Sequence, residues 1–229
     1  MRFFKTAGIA IVIVTLGALA QADLITTPGL TITSGDKTFS NFTCTVGTNT
    51  GLAIPLTCAD ISIVPTTSGG LFGIDILGNF TALAINPSAF TTSAEDVTIT
   101  YDVSATAPNL ISDVHMGFNG SGAGLFSTSV TEQVQDPLTA AVLAQISVSN
   151  PPPIFTAFAN LSNPEGTVAV TKDIALSAFA PTNPSVGLAN ISIITQTFSQ
   201  TVPEPASMLL LGAGLLGLGG LMRKKFASK

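Results

Sequence analysis

Eight residues in the middle of the chain, Asp96-Val-Thr-Ile-Thr-Tyr-Asp-Val103, alternate without a break. Val97, Ile99, Tyr101 and Val103 fall on one side, and Asp96, Thr98, Thr100 and Asp102 on the other. An extended chain sends successive side chains to opposite faces, so this period of two describes a half-buried β-strand and excludes an amphipathic helix. Similar β-rich runs recur at Leu30–Thr33, Thr38–Thr45, Ile61–Pro65, Phe72–Leu77, Phe80–Ile85, Ile111–Phe118, Leu125–Val134, Val142–Val148, Ile154–Leu161, Val168–Leu176 and Leu188–Phe198. Gly, Pro, Asn and Ser separate nearly all of them. Many short strands with turn signals between them predict an all-β body over residues 23–200, an antiparallel β-sandwich of jelly-roll-like or Ig-like form.

Local signals refine that expectation. Gly35-Asp36-Lys37 reads as a turn between two strands, with Phe39 and Phe42 entering the core. Asn119-Gly120, flanked by Val114, Met116 and Phe118 before it and Leu125 and Val130 after it, reads as a tight hairpin turn. Pro137–Ser147 is the segment of the body that competes as a helix, for about one turn. Asn150-Pro151-Pro152-Pro153-Ile154 lacks backbone donors over three residues and is expected to cross between sheets.

Both ends differ from the body. Arg2 and Lys5 precede an uncharged run, Ala7–Ala20, and Ala20-Gln21-Ala22 places small residues where signal peptidase needs them. Residues 1–22 are therefore read as a helical signal peptide cleaved after Ala22. At the other end, Val202-Pro203-Glu204-Pro205 leads into an uncharged segment, Ala206–Met222, and then Arg223-Lys224-Lys225. Its 17 residues just suffice for a transmembrane helix over 206–222. The basic cluster keeps its own side of the membrane cytoplasmic, so the body faces out. Gly212, Gly214, Gly217, Gly219 and Gly220 each weaken such a helix by about 1 kcal/mol relative to Ala, which a permanent anchor does not need.

Residues 201–229 resemble the PEP-CTERM sorting signal of bacterial envelope proteins, in which the three parts occur in this order. The resemblance implies an exosortase, a membrane cysteine protease, that recognises the tail and cleaves near Pro203-Glu204-Pro205, in Gram-negative bacteria that also make exopolysaccharide. It implies export across the inner membrane, transient anchoring, and then the cell surface or extracellular matrix. Ile32–Thr45, Asp96–Val103 and Ile111–Glu132 also resemble an all-β ectodomain of PEP-CTERM proteins whose function is uncertain, and that resemblance carries over no catalytic residues.

With the ends set aside, charge becomes informative. All thirteen acids lie between Asp23 and Glu204 against only Lys37 and Lys172, a net charge of −11 with no arginine. Nucleic acid, which is held by basic groups on phosphates, is excluded as a partner on this reading. The acids are read as solvated. Calcium is the one cofactor that oxygen-rich acidic loops could suit, although no Asp-x-Asp-x-Asp-Gly loop occurs. Cys44 and Cys58, the only cysteines, lie in the exported part and are expected to pair in a disulfide closing Thr45–Thr57, read as a long hairpin loop.

An inventory of reactive groups yields no catalytic set. His115 is the only histidine, so a Ser/His/Asp triad would have to use it with Asp113, and no Gly-x-Ser-x-Gly elbow is present. One histidine and two paired cysteines do not make a zinc site. Glu95, Asp96 and Asp102 leave open a glycosidase pair, which needs two carboxylates across a cleft. The body has no Trp and one Tyr, which weakens sugar recognition. The leading reading is a non-enzymatic envelope or matrix protein linked to exopolysaccharide and biofilm. A binding module for glycans or surface proteins comes second, and a glycan-acting enzyme third.

Overall fold

The computed structural model describes residues 22–47, 50, 51, 56–86, 91–182 and 185–201. Ala20 and the rest of the predicted signal helix lie outside the described residues, as do Val202–Lys229 with the sorting motif, the predicted span and the basic cluster. Ala22 is exposed.

Thirteen strands follow one another among the described residues: β1 (Asp23–Leu24), β2 (Ile32–Ser34), β3 (Lys37–Val46), β4 (Ser62–Ser68), β5 (Leu71–Asn86), β6 (Thr92–Ala105), β7 (Leu110–Phe118), β8 (Ser121–Ala123), β9 (Leu125–Gln135), β10 (Val142–Asn150), β11 (Thr156–Glu165), β12 (Thr167–Phe179) and β13 (Ser185–Thr201). They form two antiparallel sheets packed as a sandwich. The first runs β1-β4-β5-β13-β7-β11, with β8 also on β13; the second runs β10-β9-β12-β6-β3-β2.

Alternation explains the packing. Val97, Ile99, Tyr101 and Val103 of β6 face inward beside Val168, Val170, Ile174 and Leu176 of β12, and meet Ile74, Ile76 and Phe80 of β5 and Ile194 and Phe198 of β13 in one core. Burying each such side chain stabilises by about 1.5–3 kcal/mol. Phe39 links the layers, its ring centroid 6.2 Å from Tyr101 and 6.0 Å from Phe198.

Bulges decide which residues face in. Asn41 takes a left-handed φ of 56°, and the β3–β6 register slips between Ser40 and Thr43. One extra residue exchanges the faces: Lys37 and Phe39 point inward before it, and Phe42, Cys44 and Val46 pack on the core after it. The two runs Phe72–Leu77 and Phe80–Ile85 merge into the single strand β5, whose pairing with β13 shifts between Ile191 and Ile193.

Asn119-Gly120 is not a hairpin turn. β7 and β8, the strands on either side of it, both pair with β13 in the first sheet, so the chain runs on along β13 and crosses to β9 of the second sheet only after β8. Asn119 seals the β13 bulge instead: its Oδ1 accepts the Ser192 and Ile193 N–H groups at 3.0 and 3.1 Å, and its Nδ2 donates to Ser192 Oγ at 2.7 Å. Gly120 is required for space, since a Cβ there would lie 2.1 Å from the Phe118 ring and 2.4 Å from Thr128 Oγ1.

The segment after Cys44 is likewise no hairpin loop, because β3 and β4 lie in different sheets. The Cys44–Cys58 disulfide, with Cα atoms 5.8 Å apart, ties this crossover to β3. Pro137–Ser147 forms no helix: a turn at Pro137–Thr139 opens it, and β10 takes the rest. Asp136 holds that turn by accepting from Leu138 N at 2.8 Å and Thr139 Oγ1 at 2.6 Å. The triple proline does cross from the second sheet to the first, between β10 and β11.

Candidate functional site

Two features set side chains apart from ordinary packing. The first is a groove of about 610 Å³ on the outer face of the first sheet. Gly117 on β7, opposite Thr195 of β13 and Thr156 of β11, lies among its lining residues, and a Cβ there would meet Phe155 O at 3.7 Å and Thr156 Cγ2 at 3.8 Å, ordinary van der Waals contact. On one side Phe158, 68% exposed, stacks on His115 with centroids 5.7 Å apart and planes inclined by 19°. Phe155, also exposed, packs on Phe118 at 6.0 Å. These exposed phenylalanines follow the triple proline, and counting only Trp and Tyr overlooked them as ring platforms.

His115 is not the base of a triad. Its Nε2 lies 3.1 Å from Asp113 Oδ1 and 3.4 Å from Ser199 Oγ, while the Ser199 N–H donates to the same Asp113 oxygen at 3.0 Å. A triad needs the carboxylate on one ring nitrogen and the hydroxyl on the other. Here both partners meet a single nitrogen, so the serine has no base that the aspartate orients.

The glycosidase carboxylates are also separated. Glu95 and Asp102 lie on opposite faces of β6, and Asp96 shares the outer face with Asp102. Asp102 accepts from Asn41 Nδ2 at 2.7 Å. Glu95 is buried between the sheets, where the Thr81 N–H donates to its Oε2 at 3.2 Å. Burial pushes its carboxyl up to about 7, against the opposing Thr81 hydrogen bond. Burial, with the Asp96 carboxylate beside it, also raises Asp173. Among the described residues no group of three or more His, Cys, Asp and Glu side chains is placed to hold a metal ion.

The second feature is internal. Lys172 of β12 stands directly opposite Glu132 of β9, and Gln196 of β13 directly opposite Met116 of β7, so two cross-strand pairs face each other through the sandwich. Lys172 Nζ donates to Glu132 Oε2 and to Gln196 Oε1 and lies 3.4 Å from Met116 Sδ. All four residues are buried. The acids are therefore not uniformly solvated, as Glu95 and Glu132 show. Lys37 is buried too, with Nζ 2.8 Å from Asp36 Oδ1 and also donating to Gln200 Oε1. Hence, among the described residues, no lysine or arginine reaches the surface, which offers carboxylates alone. The signal was present in the alternation: Lys172 occupies the inward register of Val168, Val170, Ile174 and Leu176.

Residues 201–224 match the PEP-CTERM protein-sorting motif. The tail is a PEP-CTERM sorting signal. The PEP-CTERM motif implies export, anchoring in the membrane before processing, and an exosortase as the processing partner. No helix among the described residues is long and apolar enough to cross a membrane, and the span expected at 206–222 lies outside them. No curated protein matches this PEP-CTERM chain. A solved structure titled "Structure of TmCBM61 in complex with beta-1,4-galactotriose" aligns with 69% of the chain and 89% of its own at 8% identity and a TM-score of 0.33, a likeness too slight to carry an argument.

Proposed function

We propose that the chain is a non-enzymatic protein of the cell surface or extracellular matrix, which an exosortase processes at Pro203-Glu204-Pro205 after signal peptidase has cut behind Ala22. The observation that carries this reading is the PEP-CTERM motif at residues 201–224, which follows directly on the last strand. A non-catalytic body is supported by the convergence of Asp113 and Ser199 on one nitrogen of His115, and by the placement of Glu95 and Asp102 on opposite faces of β6. A surface of carboxylates repels anionic polymers and suits solubility among them. Fractionation of an exosortase-bearing host tests the proposal. The full chain is expected in the surface or matrix fraction, and a chain lacking residues 201–229 is expected to leave it. Equal distribution of the two would refute it.

The Phe158–His115 stack favours a second reading, a weak site for neutral exopolysaccharide. A sugar ring can lie on an exposed aromatic face while Thr156, Thr195 and Thr197, which also line the groove, supply hydroxyls. Affinity electrophoresis in neutral polysaccharide gels should show retardation that Phe158→Ala abolishes. Unchanged migration of the parent protein would discard the reading.

A further inference from the structure

Neither reading uses the buried lysine cluster. We propose that Lys172 Nζ and Gln196 Cδ are joined by an intramolecular isopeptide bond, with Glu132 as the proton carrier, so that β12 of one sheet is stapled to β13 of the other.

The placement supplies what the reaction needs. The amine already touches the amide it would attack and the carboxyl that would move its proton. Groups held in contact inside a protein react as though at about 10⁵–10⁸ M. Val130 and Val134 of β9, Val170 and Ile174 of β12, and Ile194 and Phe198 of β13 are buried at the neighbouring inward positions of the same strands, which keeps out water that would compete or hydrolyse the product.

The chemistry balances without a co-reactant. Proton transfer from the Lys172 ammonium to the Glu132 carboxylate gives a neutral amine and a neutral acid. The Nζ lone pair forms a bond to Gln196 Cδ. Glu132 relays the proton lost from Nζ to Nε2, the Cδ–Nε2 bond breaks, and Nε2 leaves as ammonia. Nothing is oxidised or reduced.

Burial works against the charged forms of both groups. Burial lowers the Lys172 pKa and raises that of Glu132, and each opposes the effect on the other. Burial, followed by the Glu132 charge, also raises Tyr101. In the unreacted state Gln196 Nε2, Glu132 Oε1 and Tyr101 Oη are buried without a hydrogen-bond partner. Loss of ammonia removes the first of these groups and converts a buried ammonium into an amide, relieving a desolvation cost that an ion pair rarely recovers in full. The bond would act at a useful place: β13 continues to Thr201, where the sorting motif begins, so any pull on the tail enters the strand that the staple holds.

The test is the mass of peptides from the full chain, purified from cells, denatured, reduced and digested with a protease that cuts after acidic residues. The expected product is Gly166–Asp173 joined through side chains to the C-terminal peptide that begins at Ile174, lighter than the two by one ammonia. Glu132→Gln should yield the two peptides unjoined. Free Lys172 and Gln196 in the parent chain would overturn the proposal. A link from Lys172 to Glu132 with loss of water would overturn it too. Because the parent protein alone decides the outcome, a variant that fails to fold does not rescue the idea.

Discussion

Lys37 and Lys172 are the only lysines of the body, which has no arginine, and each reaches a carboxylate and a glutamine of β13, yet the two sites differ in water. Around Lys37 the partners are wet. Gln200 is exposed, and Asp36 is partly exposed and also accepts from Asn109 Nδ2 at 3.0 Å. Burial opposes ionisation of Asp36, but Lys37 and Asn109 together hold its carboxyl below the usual value. This is an ordinary ion pair under a lid of packing. Around Lys172 every partner is buried, and the same types of group cannot stay charged without a large desolvation cost. The local dielectric, and not the donor set, separates a salt bridge from a site poised for covalent closure.

The largest effect is all-or-none. Trypsin should leave the folded body intact, since both of its target residues are buried, and after denaturation it should cut at Lys37 but not at a cross-linked Lys172. Gel electrophoresis before and after unfolding checks this, and cleavage at Lys172 in the denatured parent chain would erase the contrast. Next, Lys172→Met should destabilise by about 3–5 kcal/mol in urea unfolding because Glu132 is left buried and unpaired. Lys37→Met should cost about 1 kcal/mol, as Asp36 can turn to water. Comparable losses at both positions would break the comparison.

A third closure shares the row. Cys44, Ile99, Lys172 and Glu132 face one another in sequence across β3, β6, β12 and β9. The Cys44–Cys58 bond spans a sequence separation of 14, so its removal in a double Ser variant should cost about 3 kcal/mol by the same urea measurement.

The smallest effect concerns Glu95, a buried carboxyl with no cation beside it. Its folded pKa of about 7 exceeds its ordinary 4.5, so the proton is held more tightly in the folded state. The stability it contributes is fully present below pH 4.5 and is lost as pH rises through about 7. Unfolding midpoints should decline across that window and flatten in Glu95→Gln. An equally steep decline in the variant would assign the effect to other groups.

Period-two patterning made the strands legible because each strand carries its own facing information. It also placed Lys172 inward, for a reader willing to follow the period through a charge. Gln196 could not be read in the same way, since its meeting with Lys172 depends on how one sheet lies upon the other. Asn119-Gly120 shows the same limit: a dipeptide specifies a bend, but not whether the next strand turns back on the last or, as β8 does, runs on along the same neighbour. The prolines at 151–153 were more informative because they remove donors that a paired strand would use. Phe155 and Phe158 went unread because exposure, and not residue type, makes them a platform.

The lysine comparison extends to the whole chain. The basic groups outside the body, Arg2, Lys5, Arg223, Lys224, Lys225 and Lys229, all lie in the two targeting segments. Processing at both ends would therefore leave a mature protein with no lysine or arginine on its described surface. The most direct measurement of that claim is the mass of the chain recovered from the surface of an exosortase-bearing host. It is expected to begin at Asp23 and to end within Pro203-Glu204-Pro205. A chain that keeps Arg223-Lys224-Lys225, or that remains in the cytoplasm with Arg2 and Lys5 attached, would contradict it.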